Sequence, residues 1–373
     1  MIQVWRRELA RFSSTPRLWW FLVLVPLLIS LLLWLIFSLR VPQDLPVAMV
    51  DFDQTAESRA LQRAFSATPG IALVSVEADM GRAAESVRRG EAFAVLVIPD
   101  DFARQIVRGE QPRLQLYVNR QTSTAGNIVL RDVTTATVTA GFGVDLALGI
   151  LPAMLVDTRP LFNPGLDFAR FLALPLTVAV LHVLIVVVAI DVTGRELRER
   201  TAGQWLASAG GRAGVALAAK LLPYFLWFCS FGAVLLWLMA RSLSLEIQGS
   251  TMAWLLAWCL LVAACFGLGL LLVSVLANLR LATSVASVLV SPAFAYSGMT
   301  FPVAAMSGFA AFWSFALPLG HFLHFQTGQL AMGMSFRAGL VHLLCLAMFA
   351  ALPLLTLKRW QRLLGDPGCW GRA

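Results

Sequence analysis

The chain has 373 residues, 58% of them hydrophobic and only 13% charged, with a mean hydropathy of +0.76. A soluble domain carries about a quarter charged residues, so lipid is the solvent for much of this chain. The formal net charge of +8 is not a nucleic-acid footprint, because the cations gather beside apolar runs, as they do on the cytoplasmic side of a membrane protein.

Residues 1–39 carry Arg6, Arg7, Arg11 and Arg17 ahead of the apolar run Leu18–Leu39. That run has spanning length and no small-x-small cleavage motif follows it, so it reads as an amphipathic N-terminus and a retained first span rather than a signal peptide. From residue 40 to 167 the pattern changes, and short strand-like runs alternate with helix-like ones. Leu45–Val50, Ile71–Val76, Phe93–Ile98 and Leu114–Val118 are the predicted strands. Thr55–Ala67, Met80–Arg89 and Asp100–Val107, the last capped by Asp100 or Asp101, are the predicted helices. Ala125–Leu151 reads as a long helix leading back to the membrane. Alternating strands and helices argue for a small α/β domain.

Five more runs could span: Phe168–Ile190, Leu217–Met239, Met252–Leu276, Leu281–Tyr296 and Ala338–Leu357. About 20 residues at 1.5 Å rise cross the hydrocarbon core, and the run from Leu281 is the short one. The predicted fold is therefore an α-helical polytopic membrane protein with six transmembrane helices and an α/β domain inserted between the first and second. Residues 168–357 form a five-span core and residues 358–373 a tail. With the N-terminus inside, the inner segments hold Arg195, Arg198, Arg200 and Arg212, then Arg280, then Lys358, Arg359 and Arg362. The parity of six spans returns the tail to the cytoplasm and places the α/β domain outside it. Lys220, just inside the third span, is expected to snorkel to the cytoplasmic surface.

Two stretches carry functional candidates. The inner segment 191–216 contains Gly194-Arg195-Glu196-Leu197-Arg198-Glu199-Arg200-Thr201, then Gln204-Trp205-Leu206 and Ala209-Gly210-Gly211. A short helix with both signs of charge, followed by a glycine break, suits a protein-docking surface; short charged loops between spans have the same composition. The second stretch runs from Ser291-Pro292 through Tyr296-Ser297-Gly298-Met299-Thr300-Phe301-Pro302, with the outer re-entrant region expected over 297–337. It continues to Pro318-Leu319-Gly320-His321, and no charged residue occurs from Leu281 to Phe336. Irregular backbone at membrane depth must be covered by protein or line a wet cavity, which favours re-entrant helices; an apolar loop on the headgroups has the same composition.

Enzymatic signatures are missing from the sequence. His321 and His324 share H-x-x-H spacing with no Cys, Asp or Glu nearby to complete a zinc site, so packing histidines are expected. The five cysteines have no CxxC spacing and give no disulfide or metal framework. Asp167 and Asp191 fall at span ends, where a carboxylate is affordable. There is no nucleophile elbow, no G-x-x-x-x-G-K-[ST] loop and no dinucleotide fingerprint, so any nucleotide-driven motor must be another chain.

These stretches together resemble the permeases of the ABC type-2 exporter superfamily, in the bacterial group with a large periplasmic domain after the first span. Gly194 through Glu199, Trp205-Leu206 and Lys220-Leu221-Leu222-Pro223-Tyr224 are similar to that group's cytoplasmic coupling segment. Tyr296-Ser297-Gly298, Phe301-Pro302 and Pro318-Leu319-Gly320-His321 resemble its signature before the last span, and Phe162-Asn163-Pro164 and Ala94 through Pro99 with Phe102 and Gly109 also fit. Arg200 departs from the pattern, which often has Gly there. The resemblance implies a half-transporter of the inner membrane with both termini cytoplasmic. It pairs with a second permease, as homodimer or heterodimer, and receives a cytoplasmic ABC ATPase that carries ATP and magnesium; this chain carries no cofactor. It implies coupling contacts at Glu196, Arg198, Glu199, Arg200, Gln204 and Trp205. An outer gate is implied at Pro292, Tyr296, Ser297, Gly298, Phe301, Pro302, Pro318 and His321. The charge-poor pathway suits an amphipathic or hydrophobic cargo, and docking of a periplasmic adaptor on the α/β domain stays open. The rival reading is a membrane-embedded sensor or scaffold, which would need a cytoplasmic output domain that the short inner segments cannot supply.

Overall fold

The computed structural model describes residues 5, 19–37, 44–77, 79–110, 112–118, 123–139, 145–147, 169–245 and 247–371. The four N-terminal arginines, Phe162-Asn163-Pro164 and Asp167 lie outside the described residues. The chain divides into two compact units, one of residues 1–38 with 168–373 and the other of residues 39–167.

The smaller unit is an α/β layer structure. Following α1, the first span (Trp20–Phe37), the unit's elements are β1 (Leu45–Asp51), α2 (Ala56–Ser66), β2 (Ile71–Glu77), α3 (Met80–Arg88), β3 (Ala94–Ile98), α4 (Phe102–Val107), β4 (Arg113–Val118), α5 (Ser123–Thr139) and a short β5 (Asp145–Ala147). The strand order is β2-β1-β3-β4-β5. β1 pairs in parallel with β2 and β3, whereas β4 runs antiparallel to β3 and parallel to β5. The central strands read as continuous apolar runs because helices cover both faces. Ala48, Val50, Val95 and Val97 pack with Ala83 of α3 on one face. Val47, Met49, Leu96 and Ile98, alternating with them, are buried as well. The long helix expected over Ala125–Leu151 stops at Thr139, and Asp145–Ala147 is a strand instead: sheet pairing with β4 overrides a Thr-, Val- and Gly-rich stretch of weak helix propensity.

Asp51 fixes the first strand-to-helix turn. Its Oδ1 accepts from the backbone N–H groups of Asp53 (3.1 Å) and Gln54 (3.0 Å), and its Oδ2 accepts from Ser58 Oγ and Gln62 Nε2, both at 2.7 Å. Thr55 then caps α2 by accepting from Ser58 N–H at 3.3 Å. α4 begins after Asp101, whose carboxylate accepts from Gln105 Nε2 rather than capping the helix.

Among the described residues six helices are long and apolar enough to cross a membrane. They are α1 (Trp20–Phe37), α6 (Phe171–Arg198), α8 (Ala213–Ser242), α9 (Thr251–Leu276), the Leu279–Tyr296 segment and α14 (Phe336–Gly365). The Leu279–Tyr296 segment consists of α10 (Leu279–Val290) and the single turn α11 (Ala293–Tyr296). Between the spans lie α7 (Ala202–Ser208), α12 (Gly308–Ala316) and α13 (Pro318–Ala331). Several spans run further than apolarity alone predicts. α6 continues from Ile190 to Arg198, so the charged segment is the end of the second span and not a separate helix. α14 likewise continues past Lys358 and Arg359 to Gly365.

α9 is the hub, packing against α6, α8, α10, α13 and α14. In lipid, helices associate through close packing, and small residues permit it. Pro353 removes a backbone N–H from α14, which leaves the Phe349 carbonyl without its intrahelical donor. Gly267 of α9 lies against that carbonyl: a Cβ there would sit 2.3 Å from Phe349 O and 3.4 Å from Pro353 Cδ. Gly269 meets α6 in the same way, with Ala189 Cβ 2.7 Å from where its own Cβ would be. Trp258 then pins α9 to α8 by donating from Nε1 to the carbonyls of Phe228 and Cys229, both at 3.2 Å. Replacing Gly267 by Val therefore drives a side chain into backbone that cannot yield. The expected cost is about 1–3 kcal/mol, read as a lowered Tm of the full chain in detergent; an unchanged Tm would refute the close α9–α14 contact.

Candidate functional site

The charged end of the membrane unit is built around one buried ion pair. Glu196 lies on the face of α6 shared by Ala189 and Thr193, 7 and 3 positions earlier, all of them buried. Lys220 on α8 reaches it with Nζ 2.8 Å from Oε1, and the two side chains are 1% and 0% exposed. Thr201 Oγ1 donates to the second carboxylate oxygen. Trp205 of α7 roofs the pair, its ring centroid 5.1 Å from the ammonium, a cation–π contact strengthened by desolvation. Lys220 thus does not snorkel. A desolvated ammonium needs a counter-charge and finds one inside the protein.

The turn that follows is a helix terminus of the Schellman type. Arg200 N–H donates to Leu197 O at 3.4 Å and Thr201 N–H to Glu196 O at 3.0 Å. This requires a left-handed residue, and Arg200 supplies it with φ of 58°. That is the position where the resemblance leads one to expect glycine, and the geometry shows why. α7 follows, then Gly210 and Gly211, both with positive φ. Gln361 of α14 clamps this turn, donating from Nε2 to Gly211 O and accepting from Ala213 N–H, both at 2.8 Å.

Of the six coupling candidates, the fold exposes Arg198, Glu199, Arg200 and Gln204, and Gly210, Gly211 and Arg212 after them are exposed too; these exposed positions of residues 198–212 make up a polar ridge along the segment. Glu196 and Trp205, expected on the surface, are instead buried beneath that ridge, because Lys220 neutralises one and the other shields the pair. Arg198 and Glu199 lie 3.5 Å apart. The contributions of Lys220, Thr201 and Gln361 were missed at the sequence level. A lysine inside an apolar run was the available signal, since a cation at that depth demands a partner.

At the opposite end of the spans the backbone is broken. Neither α12 nor α13 reaches the ~20 residues a crossing needs. Gly298, with φ of 83°, turns the chain between α11 and the following loop, and a Cβ there would lie 2.9 Å from His324 Cε1. Ser297 is buried and donates from Oγ to Phe294 O at 2.6 Å. Gly320 approaches Ser297 Cα and Ser314 O. His321 donates from Nε2 to Phe315 O (3.1 Å) and His324 from Nδ1 to Gly320 O (2.8 Å), tying α13 to α12 and to itself. The rings of His321 and His324 lie 5.8 and 5.5 Å from that of His342. With one nitrogen each turned to a carbonyl they do not converge, and among the described residues no group of three or more His, Cys, Asp or Glu could hold a metal. Ser297, Gly298, Pro318 and His321 are thus gathered into one junction. Pro292 and Tyr296 are half-buried beside it, whereas Phe301 and Pro302 are exposed.

A six-span bundle with a broken-helix end, a braced charged ridge and no nucleotide loop in its sequence has the make-up of a membrane permease. The chain belongs to the ABC-2 transporter family: the family described as ABC-2 family transporter protein matches residues 16–357. It is a multi-pass membrane protein and the membrane subunit of an ABC-2 type transporter; such permeases lack the ATPase domain and typically pair with an ABC ATPase. Comparison with curated proteins and with solved structures gave no match.

The ion pair makes a clear prediction. Glu196→Gln or Lys220→Met alone strands a buried charge and should cost about 3–5 kcal/mol, while the double variant should recover most of that loss. Thermal unfolding of the four proteins in detergent measures the cycle, and additive losses would show that the two groups do not interact.

Proposed function

We propose that this permease is the membrane half of an ATP-driven exporter in a bacterial inner membrane, moving an amphipathic or hydrophobic molecule outward. Both termini face the cytoplasm, which puts the α/β unit on the periplasmic side. The observation that carries the reading is the ridge of Arg198, Glu199, Arg200 and Gln204, which stands exposed on a base made rigid by Glu196, Lys220 and Trp205. A docking surface transmits force only if its footing does not yield, and a desolvated ion pair under an indole supplies that footing. A separate cytoplasmic ATPase, holding ATP and magnesium, docks there. A second permease, the same chain or a homologue, completes the pathway.

Binding and hydrolysis of ATP then shift the paired spans between inward- and outward-accessible states. At the outer end, the Tyr296–Pro302 segment and the start of α13 close the pathway. The absence of charge from Leu281 to Phe336 favours a cargo that enters from the inner leaflet or as an amphipath.

Two measurements test this reading. Exchanging the ridge charges, Arg198→Glu with Glu199→Arg, should weaken binding of the ATPase by about tenfold at physiological salt without changing the yield of folded permease; unchanged affinity rules the ridge out as the dock. Single cysteines at Tyr296, Ser297 and Phe301 should react with an aqueous thiol reagent at rates that differ between the nucleotide-free and ATP-bound transporter. Equal rates in both states remove this segment from the gate.

A further inference from the structure

α7 has only seven residues, too few to be a stable helix by itself, so its position is set by what grips it. One grip is Trp205, buried over the ion pair. A second comes from the far end of the chain. After α14 ends at Gly365, the turn Pro367–Cys369 is held by Asp366, whose Oδ1 accepts from Gly368 N–H at 2.9 Å. This turn returns Trp370 and Gly371 to the end of α6 and to α7. Gly371 N–H donates to Leu197 O at 2.8 Å, adding a second, shorter bond to a carbonyl at the end of α6 that the Arg200 N–H reaches at 3.4 Å. The Trp370 indole donates from Nε1 to Leu363 O at 2.9 Å, which fixes the ring. It lies flush on Gly203 of α7, where a Cβ would come within 2.5 Å of Trp370 Cη2. Gly371 has φ of 77°, and a side chain there would meet the Arg200 guanidinium, Nε at 2.6 Å. A side chain at Gly203 would displace the indole, and one at Gly371 would strain the backbone and push the Arg200 guanidinium aside.

We propose that residues 366–371 are a strut that positions α7, with Trp370 as the wedge and Gly203 as its seat. Together with the Gln361 clamp on Gly211 and Ala213, the strut holds the exposed ridge from the side opposite the Glu196–Lys220 pair. The last span is thereby mechanically joined to the coupling segment, so that a push on α7 reaches α14 as well as α6 and α8. Trp370 is a positioning residue, half-buried and seated against α7. The consequence for transport rests on the reading of the ridge as the ATPase dock; the positioning itself does not.

The test uses the full-length permease in lipid nanodiscs with its ATPase bound. Hydrogen exchange read by mass spectrometry over residues 199–212 reports the position of α7 directly. Trp370→Ala should speed exchange of the α7 amides by about tenfold or more, with Trp370→Phe intermediate and the spans unchanged. Gly203→Leu should have the same effect by expelling the indole, and combining it with Trp370→Ala should restore most of the protection, because the new side chain refills the vacated space. Unchanged exchange in Trp370→Ala, or a double variant worse than either single one, overturns the strut. Permease-stimulated ATP hydrolysis is measured on the same samples. A loosened α7 with undiminished stimulation supports the strut and removes the ridge as the dock, so the two ideas fail separately.

Discussion

Hydrocarbon offers a polar group no partner, and this constraint shapes the membrane unit at every depth. Side chains that could not be left unpaired are paired across helices. Lys220 meets Glu196, and Trp258 meets two carbonyls of α8. Trp254 donates from Nε1 to Gln326 at 3.3 Å, and Gln329 accepts from Ser250 N–H while donating to Met334 O. Thr177 and Thr193 donate back to the carbonyls four residues earlier in their own helix. Helix ends are treated alike: Arg359 forks onto the carbonyls of Ser274 and Val275 where α9 stops, and Asn278 caps α10. Among the described residues the exceptions include His182, fully buried with neither ring nitrogen hydrogen-bonded, and the buried indole N–H groups of Trp205 and Trp360, each at a desolvation cost of about 1–3 kcal/mol.

Close approach is the second device. A bundle in lipid gains little from hiding apolar side chains, so contact area must come from backbones brought together. Gly267 and Gly269 let α9 touch α14 and α6, and Gly232 of α8 admits the Trp258 ring. Pro353 takes part by exposing a carbonyl that Gly267 then covers. α9 is accordingly the most enclosed of the six spans, while α1 and α14 keep most of their surface free of protein contact. Leu27, Leu31, Leu35, Leu344, Met348 and Leu355 are exposed there, which lipid as solvent makes natural.

The two ends of the bundle are built on different principles. At the charged end, side chains from α6, α7, α8 and α14 interlock, and the short α7 is held from several directions. At the other end the chain turns through Pro292, Gly298 and Pro318, and its short helices are joined by imidazole-to-carbonyl bonds. Phe309, Phe312 and Phe315 stand exposed along α12, as befits a helix lying at an apolar–polar boundary. One end is interlocked by side chains from four helices; the other is segmented by proline and glycine.

Much of this was legible in the residues alone. Span number, the inserted α/β unit and its first four strands follow from periodicity, because the length of an apolar run and the alternation of strands are local properties; β5 does not, because its pairing with β4 is not local. The membrane class and the want of an ATP site are equally local, resting on composition and on motifs that are contiguous in the chain. Tertiary structure decided what lies between distant positions. Glu196 and Trp205 look like surface residues in a charged segment, and only the arrival of Lys220, 24 residues on from Glu196, turns them inward. Trp370 reads as a residue of a polar tail until the fold sets it against Gly203. Charge and polarity can be counted along the chain, but burial is a property of pairs, and which residues pair is settled only when the helices pack.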